Sequence, residues 1–390
     1  MTTPVDEARR LAPEIKAAAD DADHLRRMPD ATWKAMHEAG LFRALQPKRW
    51  GGGEVHLREF YDAVIETSRA SGSAGWVMGV IGVHPWQLSL FPDETQDEMW
   101  AVDAARMHSS SYQPTGKAER VSGGYRLSGR WSFSSGSHHC TAVNVGVIAG
   151  TQDIGGGIEL PDFRSMVVFE GDYQLIDNWH TSGMKGTGSR DIVIDDVFVP
   201  EHRSQSHLDY ILDRPLPGWT LNNGSLYRAP WAVVFNFALA ASVFGTALGY
   251  LDTWLAESSG RSAPFGGRVV DDPLMQRRVA EFTWDVDAAI AQLRRDADVM
   301  MDAASSEELL SREQRVAMRW NVNRGCEVVA RAVNELHHAA SGRAIFSDHP
   351  LQRGYQDVQG ALGHAFLVGD SISLAHGASK LGGNAMPVMA

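Results

Sequence analysis

Twenty consecutive residues, Trp231 to Tyr250, carry no charge at all. A helix made from them is about 30 Å long at a rise of 1.5 Å per residue, enough to cross a bilayer. The run also holds Asn236, Ser242, Gly245, Thr246 and Gly249, has no flanking Lys/Arg cluster, and has no companion span. Those features point away from lipid. The expectation is a helix enclosed on all sides in a large helical core or a subunit interface.

The rest of the 390-residue chain has room for such an enclosure. From Pro4 to about Met107 the pattern is helical: Asp30 reads as an N-cap, and Met36, Leu41 and Phe42 give a helical stripe ending near Gly40. Small residues dominate Ala70 to Gly82, and His84 is read as ending that helix just before Pro85. From Ser122 to Pro200 the pattern turns to short alternating segments, among them Ala142 to Ile148, Ser165 to Phe169 and Asp191 to Val199. Helical periodicity returns over Trp231 to Glu257, Asp272 to Ala303, Ser311 to Ala340 and Gln352 to His376. The expected fold is therefore mainly α with a β insert, divided as 1–107 helical, 108–226 β and 227–390 a helical bundle. No alternation of strand and helix supports a Rossmann fold.

A net charge of −12 argues against nucleic acid, whose recognition needs clustered Lys and Arg. Cys140 and Cys326 are the only cysteines, compatible with a reducing cytoplasm. Met1 to Leu25 lacks the apolar core of a signal peptide. A cytoplasmic protein bound to neither membrane nor nucleic acid is expected.

Several segments carry polar or aromatic groups suited to chemistry. Gly129-Arg130-Trp131-Ser132-Phe133-Ser134-Ser135-Gly136 follows a hairpin strand and offers an indole, hydroxyls and a glycine at a strand end. Such a set can stack on a flat heterocycle and bond its edge; an ordinary strand with a core aromatic reads the same way. Gly183-Met184-Lys185-Gly186-Thr187-Gly188 precedes a strand, so it is a turn rather than a phosphate loop. Glu335-Leu336-His337-His338 is half of a di-iron motif with no second copy. Ser109-Ser110-Ser111-Tyr112 is read as a loop. His364, among small and apolar neighbours, is either a core histidine or a general base near neutral pH.

Taken in order, His37-Glu38-Ala39-Gly40-Leu41 with Trp50-Gly51-Gly52, Leu127 to Gly136, and Gly183 to Glu201 resemble the acyl-CoA dehydrogenase superfamily over nearly the full length. The resemblance implies a helical N-terminal domain, a central β-barrel or sandwich domain, a C-terminal four-helix bundle, a flavin and a homotetramer. A dehydrogenase of that family also needs a carboxylate base, yet no acidic residue lies between Asp357 and Asp370, and His364 stands there. With Gly82 to Trp86 and Ser109 to Tyr112, this departure resembles the oxygenase branch, the two-component flavin-dependent phenol hydroxylases. That branch implies a separate flavin reductase, reduced FAD or FMN with O2, and hydroxylation of an aromatic small molecule through a flavin hydroperoxide. It implies Ser135 at the flavin N5 edge, His84 and Ser110 at the phenol, and His364 as base. Trp131, Ser111 and Tyr112 belong to the same pocket pattern, and Arg261 meets the cofactor phosphates of a neighbouring subunit.

Leu362 and Val368 replace charged residues expected around a steroid-type site, leaving a polyketide or indole ring open as substrate. One extra residue between Arg261 and Phe265 leaves FAD against FMN open. The alternative is an acyl-CoA dehydrogenase with a relocated carboxylate, such as Glu257; a non-catalytic flavin-binding scaffold or sensor is a third reading.

Overall fold

The computed structural model describes residues 2–262 and 266–383. Six helices come first: α1 (Pro4–Ala17), α2 (Ala19–Leu25), α3 (Asp30–Glu38), α4 (Leu57–Ala70), α5 (Gly72–Leu88) and α6 (Asp93–Trp100). Seven strands follow: β1 (His108–Val121), β2 (Gly124–Ser134), β3 (Ala142–Asp153), β4 (Glu159–Phe169), β5 (Gln174–Ile176), β6 (Arg190–Pro200) and β7 (Ser204–Ser206). Two short helices, α7 (His207–Ile211) and α8 (Pro217–Leu221), lead to α9 (Trp231–Ser258), α10 (Pro273–Ser305), α11 (Arg312–His338), α12 (Pro350–Ala361) and α13 (Asp370–Lys380). The mainly helical fold with a β insert is the one the sequence implies.

The uncharged run forms the first part of α9, and residues from Trp231 to Ala247 are all buried. Helices α4, α5, α10, α11 and α12 pack around it. Its small residues let backbones meet: a methyl group on Gly245 would lie 2.2 Å from the Ile65 carbonyl oxygen of α4. Helix α5 is similarly enclosed, with Ser71 capping its start by accepting the Ala74 N–H. It continues through Pro85 to Leu88 rather than ending at His84. Burial on every side overrides the break that proline favours in an exposed helix.

The sheet runs in the order β5-β6-β2-β1-β3-β4-β7, antiparallel throughout except for the parallel pair β1 and β3. Ser109-Ser110-Ser111 is not a loop; it lies inside β1, paired with Val143, Asn144 and Val145. One face of the sheet encloses its own core of Tyr125, Leu127, Trp131, Val143, Val145 and Ile192. The expected single helix over Gln352 to His376 is interrupted at residues 362–369, which place His364 on a bend. One hydrogen bond ties the β part to the bundle, and a second fixes the bend within the bundle. Asp357 of α12 accepts the Met184 N–H at 2.5 Å, and Asn236 of α9 donates to the Phe366 carbonyl at 3.0 Å.

Glycine placement gives a test of this packing. Gly75→Ala puts a methyl group 1.8 Å from Ser68 Oγ and 2.4 Å from its Cα, and should destabilise the protein by about 1–3 kcal/mol. Gly377→Ala, inside α13 with nothing within 4 Å, should instead stabilise by up to about 1 kcal/mol. Urea denaturation of the two variants measures both signs.

Candidate active site

Three elements converge on one region: a stripe of α5, the ends of β1 and β2, and the bend after α12. On α5, Trp76, Val80 and His84 recur every four residues and so share a face. Eight residues of helix set Trp76 and His84 about 12 Å apart along the axis. Trp76 marks one end, where its ring meets His364 edge-on with centroids 5.6 Å apart. His84 marks the other, stacked on His108 at 4.9 Å and flanked by Phe235 at 5.7 Å and Tyr112 at 6.4 Å.

The β2 contribution depends on a backbone irregularity. The β2–β6 register shifts between Trp131 and Ser134, and Phe133 in between adopts φ +68°, the left-handed region that a bulky residue seldom occupies. The bulge turns Phe133 outward, 60% exposed, where it meets Trp179 edge-on at 6.0 Å. Ser134 returns inward to donate to Ser109. Ser135 reaches the α5 stripe, accepting the Trp76 indole N–H at 3.2 Å and contacting Ser189 Oγ at 2.7 Å. Trp76 thus stands between Ser135 and His364.

His364 is held by its bend. Its Nδ1 accepts the Phe366 N–H at 3.2 Å. A nitrogen that accepts carries no proton, so the neutral ring bears its hydrogen on Nε2 and offers a donor. Surrounding protein lowers its pKa to about 4 although the ring itself is exposed; it lies recessed but open, uncharged at neutral pH. His84 is different. It is 1% exposed, neither ring nitrogen has a hydrogen-bond partner, and burial followed by the neighbouring His108 holds its pKa well below 6.5.

The structure brings Ser135 and His364 together around Trp76, and it gathers His84, Ser110 and Tyr112 two helical turns away. The Tyr112 hydroxyl donates to Gln87 Oε1 and is also hydrogen-bonded with Ser110. Ser111 belongs to the opposite sheet face and spends its proton on the Ser132 carbonyl at 2.6 Å, bracing the bulge. Trp131 is corrected as a pocket wall. Its indole is fully buried in the sheet core, donates to the Gly146 carbonyl at 2.7 Å, and fills the space that a side chain on Gly116 would need. The exposed aromatic beside Ser135 is Phe133, two residues on.

Arg261 follows the far end of α9, roughly 35 Å along the helix from Phe235. It donates to the Ala339 carbonyl at 2.7 Å and is not brought to this site within one chain; Phe265 lies outside the described residues. Glu257, the relocated carboxylate considered above, lies at that same end, 3.6 Å from His349. Asp357, though close to His364 in sequence, is buried against Met184, and burial raises its pKa to about 7.

The residues fit a flavin. Phe133 and Trp179 offer uncovered aromatic surface, and Ser135, with one neighbour donating and another hydroxyl beside it, keeps bonding capacity for a ring edge. They also fit a phenolic ligand, because the orphaned nitrogens of His84 and of His108 are buried polar groups that cost about 1–3 kcal/mol each without a partner.

Residues 5–108 match the acyl-CoA dehydrogenase N-terminal domain, and residues 237–368 the acyl-CoA dehydrogenase C-terminal domain. The chain is 34% identical to the flavin-dependent monooxygenase oxygenase subunit HsaA of Rhodococcus jostii, over 95% of this chain and 96% of that one. This chain belongs to the flavin-dependent monooxygenases of the acyl-CoA dehydrogenase superfamily. It is also 31% identical to the FADH(2)-dependent resorcinol hydroxylase oxygenase component of a Rhizobium species, over 95% of this chain and 92% of that one. Among solved structures, the HsaA monooxygenase of M. tuberculosis superposes with a TM-score of 0.92 at 31% identity, covering 100% of this chain and 99% of that one. For a monooxygenase of this superfamily, the sequence reading placed Phe133 among the aromatic walls but missed Trp76, Trp179, His108 and Ser189. The four-residue spacing of Trp76, Val80 and His84 was the available signal for Trp76.

The buried imidazoles predict acid sensitivity. His84, His108 and His207 are each at most 2% exposed. Burial lowers all three below the unfolded value, His108 and His207 to about 3. Below pH 6.5 the unfolded chain binds protons that the folded one refuses. Stability is therefore complete above pH 6.5 and lost as pH falls toward the folded values, by about 1.4 kcal/mol per unit per group. Asp357, raised to about 7, acts in the opposite sense as a single group. Thermal melts should show a lower midpoint at pH 5 than at pH 7; an equal or higher midpoint would contradict neutral burial.

Proposed function

We propose that this protein is the oxygenase component of a two-component flavin-dependent monooxygenase that hydroxylates a phenolic or polycyclic aromatic. It receives reduced FAD or FMN from a separate reductase, consistent with a sequence that shows no nicotinamide-binding loop. The observation that carries the reading is the pairing of Ser135 and His364 across Trp76, with an imidazole where a dehydrogenase of this fold needs a carboxylate. The identity to monooxygenases over nearly the whole chain agrees with it.

Bound reduced flavin supplies the activation of O2, from which one oxygen atom enters the aromatic ring and the other leaves as water. The chain's residues set the conditions. Ser135 would offer its oxygen to the N5 edge of a bound flavin, and Phe133 with Trp179 would cover the ring system. The Nε2–H of His364 donates into the space beside Trp76, where negative charge on oxygen has to be stabilised. His84 receives the substrate hydroxyl. Burial and the neighbouring His108 hold its pKa well below 6.5, against about 10 for a phenol, which disfavours deprotonation in the ground state. The proton instead moves as the ring loses electron density to oxygen and its hydroxyl becomes strongly acidic. Ser110 and Tyr112 complete that polar end, and the apolar ring faces of Phe235 and Phe366 exclude water.

A homotetramer fits the surface of the bundle. A groove between α10 and α11, lined by Arg277, Glu281, Asp285 and Arg331, lies beside Trp284, which is 71% exposed. Assembly would also give Arg261 a neighbouring cofactor to meet.

Stopped-flow mixing of the protein and reduced flavin with O2 should give a transient absorbance distinct from oxidised flavin, followed by hydroxylated product when a phenol is present. His84→Ala should lower product formed per flavin oxidised by about 10²-fold while leaving reduced-flavin affinity within about twofold. Hydrogen peroxide as sole product with every phenol tried, or flavin reduction by an acyl-CoA without O2, would overturn the assignment.

A further inference from the structure

Three hydroxyls in succession, on Thr187, Ser189 and Ser135, run from a peptide carbonyl to the site, and their order fixes where each proton points. Thr187 Oγ1 lies 2.9 Å from the Met184 carbonyl oxygen. A carbonyl only accepts, so this contact takes the single proton of Thr187, beside the Trp179 indole N–H at 3.0 Å and the Thr187 N–H at 3.2 Å on the same oxygen. Thr187 Oγ1 then meets Ser189 Oγ at 2.6 Å as the acceptor, which commits the Ser189 proton to Thr187. Ser189 in turn accepts from Ser135 at 2.7 Å. The Trp76 indole N–H, a donor with no lone pair to offer, approaches Ser135 Oγ at 3.2 Å. All four side chains are buried, so bulk water does not reorient the chain. Ser135 is left with a lone pair toward the pocket and no proton to give.

We propose that Thr187, Ser189 and Trp76 are positioning residues that make Ser135 an obligate hydrogen-bond acceptor, so that the site selects reduced over oxidised flavin. The inference rests on the reading of Ser135 at the flavin N5 edge. Reduced flavin carries a hydrogen on N5 and donates; oxidised flavin presents a bare nitrogen lone pair there and accepts. The same Ser135 oxygen therefore bonds the incoming reduced cofactor and offers no donor to the spent one. An oxygenase served by a separate reductase needs that asymmetry, because each turnover ends with oxidised flavin that must leave.

Anaerobic equilibrium dialysis of reduced flavin, alongside oxidised flavin measured by fluorescence, gives the ratio of the two dissociation constants without any turnover. In Ser189→Ala and in Thr187→Val the Ser135 hydroxyl regains a free proton or receives one from Ser189. Oxidised flavin should bind more tightly and the preference for reduced flavin should fall about tenfold, the worth of one hydrogen bond. Thr187→Ser keeps the relay and should retain the wild-type ratio, which a purely structural role for Thr187 would not require. Ser135→Ala separates the two claims: it should weaken reduced flavin without tightening oxidised flavin. A wild-type ratio in both relay variants, with Ser135→Ala weakened as described, overturns the relay and leaves Ser135 at N5. No change in Ser135→Ala removes the placement of Ser135 and the relay with it.

Discussion

A helix without a polar face has to be surrounded, and α9 imposes that requirement on everything else. Five helices close around it, and their approach is near enough that glycines are needed where backbones cross. Helix α5 is trapped between this core and the sheet, so its Trp76–His84 stripe is set by packing on both sides rather than by loops. The few polar groups on α9 are put to use: Asn236 bonds Asn323 of α11 and the Phe366 carbonyl beside His364. The enclosed helix thereby holds part of the site in place.

The site lies where the helical parts and the sheet meet, and its two ends are electrically alike. Both carry imidazoles kept uncharged by their surroundings, and no carboxylate is offered to the space between Ser135 and His364 by the bend itself. A neutral, aromatic-walled region suits a ligand that must stay dry, whereas a buried charge would draw water toward it. Donors and acceptors are distributed by hydrogen-bond direction instead: His364 points a donor, Ser135 an acceptor, and His84 free nitrogens.

Much of this was readable from the chain alone, in proportion to how local the cause was. An uncharged run of twenty residues announces an enclosed helix by itself, and alternation with glycine turns announces the sheet. His84, Ser135 and His364 were identifiable because their neighbours form patterns. Trp131 and Phe133 were not separable, since strict alternation puts both on one strand face and only the left-handed residue at 133 sends them to different fates. The break at 362–369 was equally hidden; the sequence there has no proline, and its carbonyl at Phe366 is claimed by an asparagine 130 residues away. Thr187 and Ser189 read as part of a turn because their partner, Ser135, is 54 residues distant from Ser189.

The bend after α12 has a consequence for how such a scaffold diversifies. Gly363, His364 and Ala365 are exposed while Ala361 and Leu367 on either side are buried, so the reactive side chain hangs from a short bridge between two fixed anchors. Exchanging that side chain disturbs little packing and costs little stability. Chemistry at this position is thus decoupled from foldability: imidazole and carboxylate become interchangeable fittings on one mount, and a change of reaction need not pass through a misfolded ancestor.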